Sequence, residues 1–154
     1  MKKLILLILL ALVPAAMPAQ RIFNFVLGNA NKVINNPTSS FVSTQVEQFK
    51  KTALVYLRSK ARETKQANAE ALLDNQAYYL SQFISLYIDT LVKSKNQSRE
   101  KQVQKVEQFI NASKLNKLFN DTDHETADAY LLADKSLTPF SLDTDWQKAY
   151  EMMK

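Results

Sequence analysis

The sequence predicts an all-α fold, a compact antiparallel bundle of about six helices that follows a cleaved export leader. Between Pro37 and Pro139 there is neither glycine nor proline, and the one glycine of the chain is Gly28. Hairpins, bulges and tight loops want positive φ, which glycine supplies at least cost, so a β-rich chain is hard to build here. Apolar residues recur at steps of three and four, the spacing of one helix face. The connections between those stretches are short, which favours antiparallel neighbours.

The chain opens Met1-Lys2-Lys3, and residues 4–13 carry no polar side chain. A positive start before an apolar run of this length is the pattern of a secretory signal peptide. Spanning a bilayer takes about 20 apolar residues, so the run is too short for that. Pro14 and Pro18 break it, and Gln20-Arg21 begins ordinary polar sequence. Residues 1–19 therefore read as the signal peptide and residues 20–154 as a single helical-bundle domain.

Two cleavage points compete. Cutting after Ala15 uses the small-residue pattern Val13-Pro14-Ala15, whereas cutting after Ala19 leaves Met17 where a small side chain is usual. We expect Ala19, because a leading Gln20 resembles the export leaders of a large group of anaerobic Gram-negative bacteria. That resemblance, confined to the leader, implies cyclisation of Gln20 to pyroglutamate. The expected location is periplasmic or extracellular.

The chain contains no cysteine. No disulfide can brace the domain, so it relies on its core. No lipobox cysteine exists either, and the leader does not make a lipoprotein. The formal charge of +5 falls by two when Lys2 and Lys3 leave with the leader. A mild positive excess favours solubility and weak attraction to anionic surfaces without identifying a partner.

Each helix has its own signature. Ile22, Phe23, Val26, Ala30, Val33 and Ile34 outline a first helix that ends before Asn35-Asn36-Pro37. Val42, Val46, Phe49, Ala53, Leu57 and Ala61 form the stripe of a second, expected from about Thr38–Thr44 to Arg62–Lys65, with Thr44 and Glu47 matching a capping box and Asn36-Pro37 offering an earlier start. The third, about residues 67–93, carries Leu73, Ala77, Leu80, Ile84, Tyr87 and Leu91, widened by Leu72, Tyr79, Phe83 and Leu86. A helix apolar over most of its circumference is covered on several sides, so it belongs at the centre. Asp74, Ser81, Ser85 and Asp89 make up its narrow polar face.

Ser98 is the expected N-cap of a fourth helix bearing Val103, Val106, Phe109 and Ile110. Thr122 and Glu125 match a capping box for a short fifth helix, with Ala127, Tyr130 and Leu131 inward. Residues 134–143 read as the one clear loop. Asp143 or Thr144 then caps a last helix with Trp146, Ala149, Tyr150 and Met153 on one side.

The residues also exclude chemistries. Asp121, Asp123, Glu125 and Asp128, with His124 among them, begin with the spacing of a calcium loop, but Thr126 stands where glycine is required and Leu132 where a bidentate Glu belongs. Carboxylates in a first helical turn are explained by the helix dipole and its free N–H groups. His124 is the only histidine, so neither a His-pair metal site nor a Cys–His nucleophile can be assembled. No Gly-x-Ser-x-Gly elbow, Walker loop or dinucleotide fingerprint is present. Paired-carboxylate hydrolysis, which has no local signature, is the enzymatic alternative. No catalytic, metal or cofactor residue is assigned.

Lys51, Arg58, Arg62 and Lys65 fall within about 60° of one another on the second helix, opposite its apolar stripe. They are the candidate anion-binding face, for polysaccharide, lipid phosphate or nucleic acid. An ordinary solvated face, with Glu47 and Lys51 paired at i,i+4, accounts for the same residues. Lys93, Lys95, Arg99, Lys101 and Lys105 form a second basic cluster. Intracellular nucleic acid is excluded as a partner by export. Tyr78, Tyr79, Phe83, Tyr87, Trp146 and Tyr150 read as core before they read as a ligand pocket.

Asn96, Asn111 and Asn120 begin formal glycosylation sequons that carry little weight in a bacterial protein. The expected role is binding or structural, in the bacterial envelope, with an envelope protein or an anionic polymer as partner. Contact of the first helix with a membrane surface, through Ile22, Phe23, Val26, Val33 and Ile34, is a further alternative.

Overall fold

A computed structural model of the chain describes residues 21–119 and 140–154. They form five helices and no strand: α1 (Arg21–Ile34), α2 (Phe41–Glu63), α3 (Ala69–Ser94), α4 (Arg99–Leu115) and α5 (Trp146–Met153). The leader with Ala19 and Gln20, the acidic residues 121–128, their expected short helix and most of the expected loop lie outside the described residues. Among the described residues no helix is long and apolar enough to cross a membrane.

The third helix takes the central place its wide apolar face demands. It packs against each of the other four, while α1 also meets α2 and α4 meets α5. Leu73, Ala77, Leu80, Phe83 and Ile84 are buried along it. Phe83 is the hub of an aromatic cluster, with ring centroids 5.3 Å from Phe109, 5.2 Å from Phe140 and 5.4 Å from Trp146. Tyr78 and Tyr79 touch edge to face at 5.1 Å, and Tyr79 lies 5.7 Å from Tyr150. Phe83 and Trp146 are core, Tyr79, Tyr87 and Tyr150 pack against it, and Tyr78 touches Tyr79 at its margin.

The first two-thirds of the apolar face of α1 pack on the bundle: Phe23 and Ala30 are buried, and Ile22, Val26 and Leu27 pack against the core, while Val33 and Ile34 are half-buried. Its first turn is held from outside, since the Phe23 N–H donates to Asp74 Oδ1 of α3 at 2.8 Å. Asp74 therefore leaves the polar face expected for it and caps a neighbouring helix.

α2 begins at Phe41, inside the expected span, with a cap other than Thr44. Asn36 Oδ1 accepts the Thr38 N–H at 3.0 Å and so turns the chain, leaving Ser40 extended. Ser40 Oγ then accepts the Ser43 N–H at 3.1 Å and is the N-cap. The Thr44 hydroxyl donates to the Ser40 carbonyl instead. Starting early carries Val42 into solvent, 69% exposed, while Phe49, Ala53, Leu57 and Ala61 keep the buried stripe.

The α2–α3 turn has no glycine, yet two residues in it take positive φ, Lys65 at 50° and Asn68 at 56°. Gln66 N–H donates to Ala61 O at 3.1 Å and Lys65 N–H to Arg62 O at 3.2 Å. That bonding is a Schellman ending with Lys65 in the usual glycine position.

Ser98 caps α4 as expected, accepting the Lys101 N–H at 3.4 Å. Neither Asp143 nor Thr144 caps α5, because both are engaged with the end of α4. Thr144 Oγ1 lies 2.7 Å from Ser113 Oγ, and Asp143 Oδ1 accepts the Phe119 N–H at 3.1 Å. Asp145, free of those bonds, accepts the Lys148 N–H at 3.3 Å and takes the cap. Residues 140–145 thus run as a strap beside 113–119, with a single bridge between Lys117 and Thr144.

Candidate anion-binding surfaces

The four cations expected on one face of α2 do not share one environment. Arg58 is half-buried, its guanidinium 5.5 Å from the centroid of the Phe23 ring. There it covers a core aromatic and gains a cation–π contact. Lys51 is half-buried, Arg62 is exposed, and Lys65 lies beyond the last helical residue. The continuous ridge is therefore Lys51, Arg58 and Arg62, with Lys65 displaced by the Schellman turn.

Charge compensation on α2 is selective. Glu47 pairs with Lys50 at 2.9 Å and not with Lys51, so the expected i,i+4 pair is replaced by an i,i+3 pair. Lys60 is 3.4 Å from Glu63. Lys51, Arg58, Arg62 and Lys65 form no ion pair among the described residues. Both carboxylates of the helix are thus committed to lysines outside the ridge, which is left without a carboxylate partner on its own helix.

The second cluster surrounds the α3–α4 turn. Lys93 is in the last turn of α3 and Lys95 just past it, Arg99 and Lys101 begin α4, and these four are exposed, while Lys105, a turn further along, is half-buried. None forms an ion pair among the described residues. Arg99 and Val103, with Glu100, Gln104 and Glu107, line a shallow open depression on the outer side of α4. Its lining of opposed charges on one helix offers no enclosed ligand cavity.

The described residues contain no group of three or more His, Asp or Glu side chains placed to hold a metal ion. Three of the buried polar residues, Gln76, Ser113 and Thr144, have structural partners, whereas the buried Gln45 Oε1 and Trp146 Nε1 have no hydrogen-bond partner among the described residues. Gln76 bonds to Asp145 and Trp146, while Ser113 and Thr144 bond to each other and to the 140–145 strap. Sequence reasoning passed over Gln76, Ser113 and Phe140. A glutamine within an apolar stripe was the available signal for the first; nothing local marks the other two.

Comparison of the chain with family models, with curated proteins and with solved structures gives no match.

Proposed function

We propose that this chain is an exported helical bundle that works by binding in the bacterial envelope, without catalysis, and that its partner is an anionic polymer held along α2. The observation that carries the reading is the uncompensated row of Lys51, Arg58 and Arg62, with Lys65 at its end. A row of unpaired cations along one helix suits a repeating anion, because each bound charge releases counterions. The leader pattern in residues 1–19 supports placement outside the cytoplasm. Membrane contact through α1 has less support, since Ile22, Phe23 and Val26, three of the residues that would insert, are packed against the core.

Retention of the processed chain on heparin in physiological salt tests the reading. The combined variant Lys51→Gln, Arg62→Gln and Lys65→Gln should elute at markedly lower salt, with an unchanged helical spectrum. Arg58 is left in place because it also covers Phe23. No retention of the unaltered chain, or hydrolytic turnover abolished by one Asp→Asn or Glu→Gln change, overturns it.

A further inference from the structure

Exposed apolar side chains are unevenly distributed. Of the eight large apolar residues most exposed among the described ones, five lie within two turns of one end of the bundle. These are Phe41 at 68%, Val42 at 69%, Ile88 at 36%, Val92 at 64% and Val103 at 47%. Phe41 and Val42 start α2, Ile88 and Val92 are near the end of α3, and Val103 is in the second turn of α4. A five-residue turn joins α2 to α3, so these helices run antiparallel and the start of one shares an end with the finish of the other.

The same end holds Lys93, Lys95, Arg99 and Lys101, exposed and without ion pairs among the described residues. Three exposed carboxylates, Asp89, Glu100 and Glu107, lie among these four cations. The local balance stays positive.

We infer that this end of the bundle, made by the start of α2 and the α3–α4 turn, docks on an anionic lipid surface. Cations alone serve a hydrated polymer as well as a bilayer. Exposed valines and a phenylalanine among them favour the bilayer over the polymer: such side chains gain by leaving water, which the acyl boundary offers, and cations then meet the headgroup phosphates. The row on α2 has no comparably exposed apolar residue along it, which separates the two surfaces chemically. The inference rests on the proposed role outside the cytoplasm and adds a second, lipid-specific contact to it.

Co-sedimentation of the processed chain with vesicles tests it. Binding is expected to vesicles of equal parts phosphatidylglycerol and phosphatidylcholine, and not to phosphatidylcholine alone. Replacing Lys93, Lys95, Arg99 and Lys101 together by Gln should weaken partition at least about tenfold. The paired change Val92→Ser and Val103→Ser, at exposed positions that cost the fold little, should weaken it roughly threefold or more. The α2 variant Lys51→Gln, Arg62→Gln and Lys65→Gln should bind vesicles as the unaltered chain does.

Absence of binding to anionic vesicles overturns the inference, as does full binding by the valine pair variant. Heparin retention without vesicle binding removes the lipid contact and leaves the polymer reading. Vesicle binding without heparin retention does the converse.

Discussion

The side-chain oxygen of Gln76 accepts the backbone N–H of Trp146 at 2.7 Å, across 70 residues of chain. Its amide nitrogen donates to Asp145 Oδ1 at 3.2 Å, so one buried side chain satisfies both the first N–H of α5 and the residue that caps it. Trp146 and Asp145 are fixed to the central helix by this pair of bonds, and the aromatic cluster around Phe83 closes behind them.

Gln76→Leu should cost about 2–3 kcal/mol in urea unfolding, because it leaves the buried Trp146 N–H unpaired and takes one of its donors from the largely buried Asp145 carboxylate. Gln76→Glu should cost more at neutral pH than in acid. A carboxylate cannot donate to Asp145 and repels it, whereas a protonated acid can donate.

Gly28→Ala should stabilise the bundle by about 0.5–1 kcal/mol, raising the melting temperature by a few degrees. Gly28 is inside α1, and a Cβ built on it meets nothing within 4 Å. The methyl adds no clash, and the unfolded chain loses freedom.

Lys65→Gly should stabilise by roughly 1 kcal/mol, since the left-handed backbone there is costly for any residue with a Cβ. Lys65→Ala should show no such gain. A gain of similar size in both variants would trace the effect to charge and not to φ.

Tyr87 should make the protein sensitive to alkali. Burial raises its pKa above 10.0, because the phenolate is disfavoured among Phe109 and Phe140. A raised folded value means the stabilising contribution is complete below the unfolded pKa and is lost as pH climbs through the folded one. Tyr87→Phe should change neutral stability little and should flatten the loss of stability above pH ~10.

The end of α5 shows why some features were legible in advance and others were not. Trp146, Ala149, Tyr150 and Met153 were placed on the inner side by spacing alone, and they pack inward. The cap was misplaced by one or two residues, because Ser113 and Phe119 claim Thr144 and Asp143 first. That competition is between segments far apart in the chain. Phe140 belongs to the segment 134–143 whose composition predicts a loop, yet it is fully buried between Phe49, Phe83 and Tyr87. A loop residue has no period, so nothing local marks it as core.

The basic face followed the same division. The angle between Lys51, Arg58 and Arg62 is a property of helix pitch and could be read from numbering. Arg58 lying over Phe23 and Glu47 choosing Lys50 depend on rotamers and on how α1 packs, which numbering does not contain.

By itself the sequence determined that the described chain is helical, that α3 is its centre, and which stripes turn inward. Helix pitch converts spacing directly into faces, and burial of apolar area dominates the choice between them. Tertiary structure alone decided which polar group satisfies which helix end: Asp74 for α1, Gln76 for α5, Ser113 for the strap. A backbone N–H at a helix terminus accepts any oxygen that arrives, and only the packed fold brings one to it.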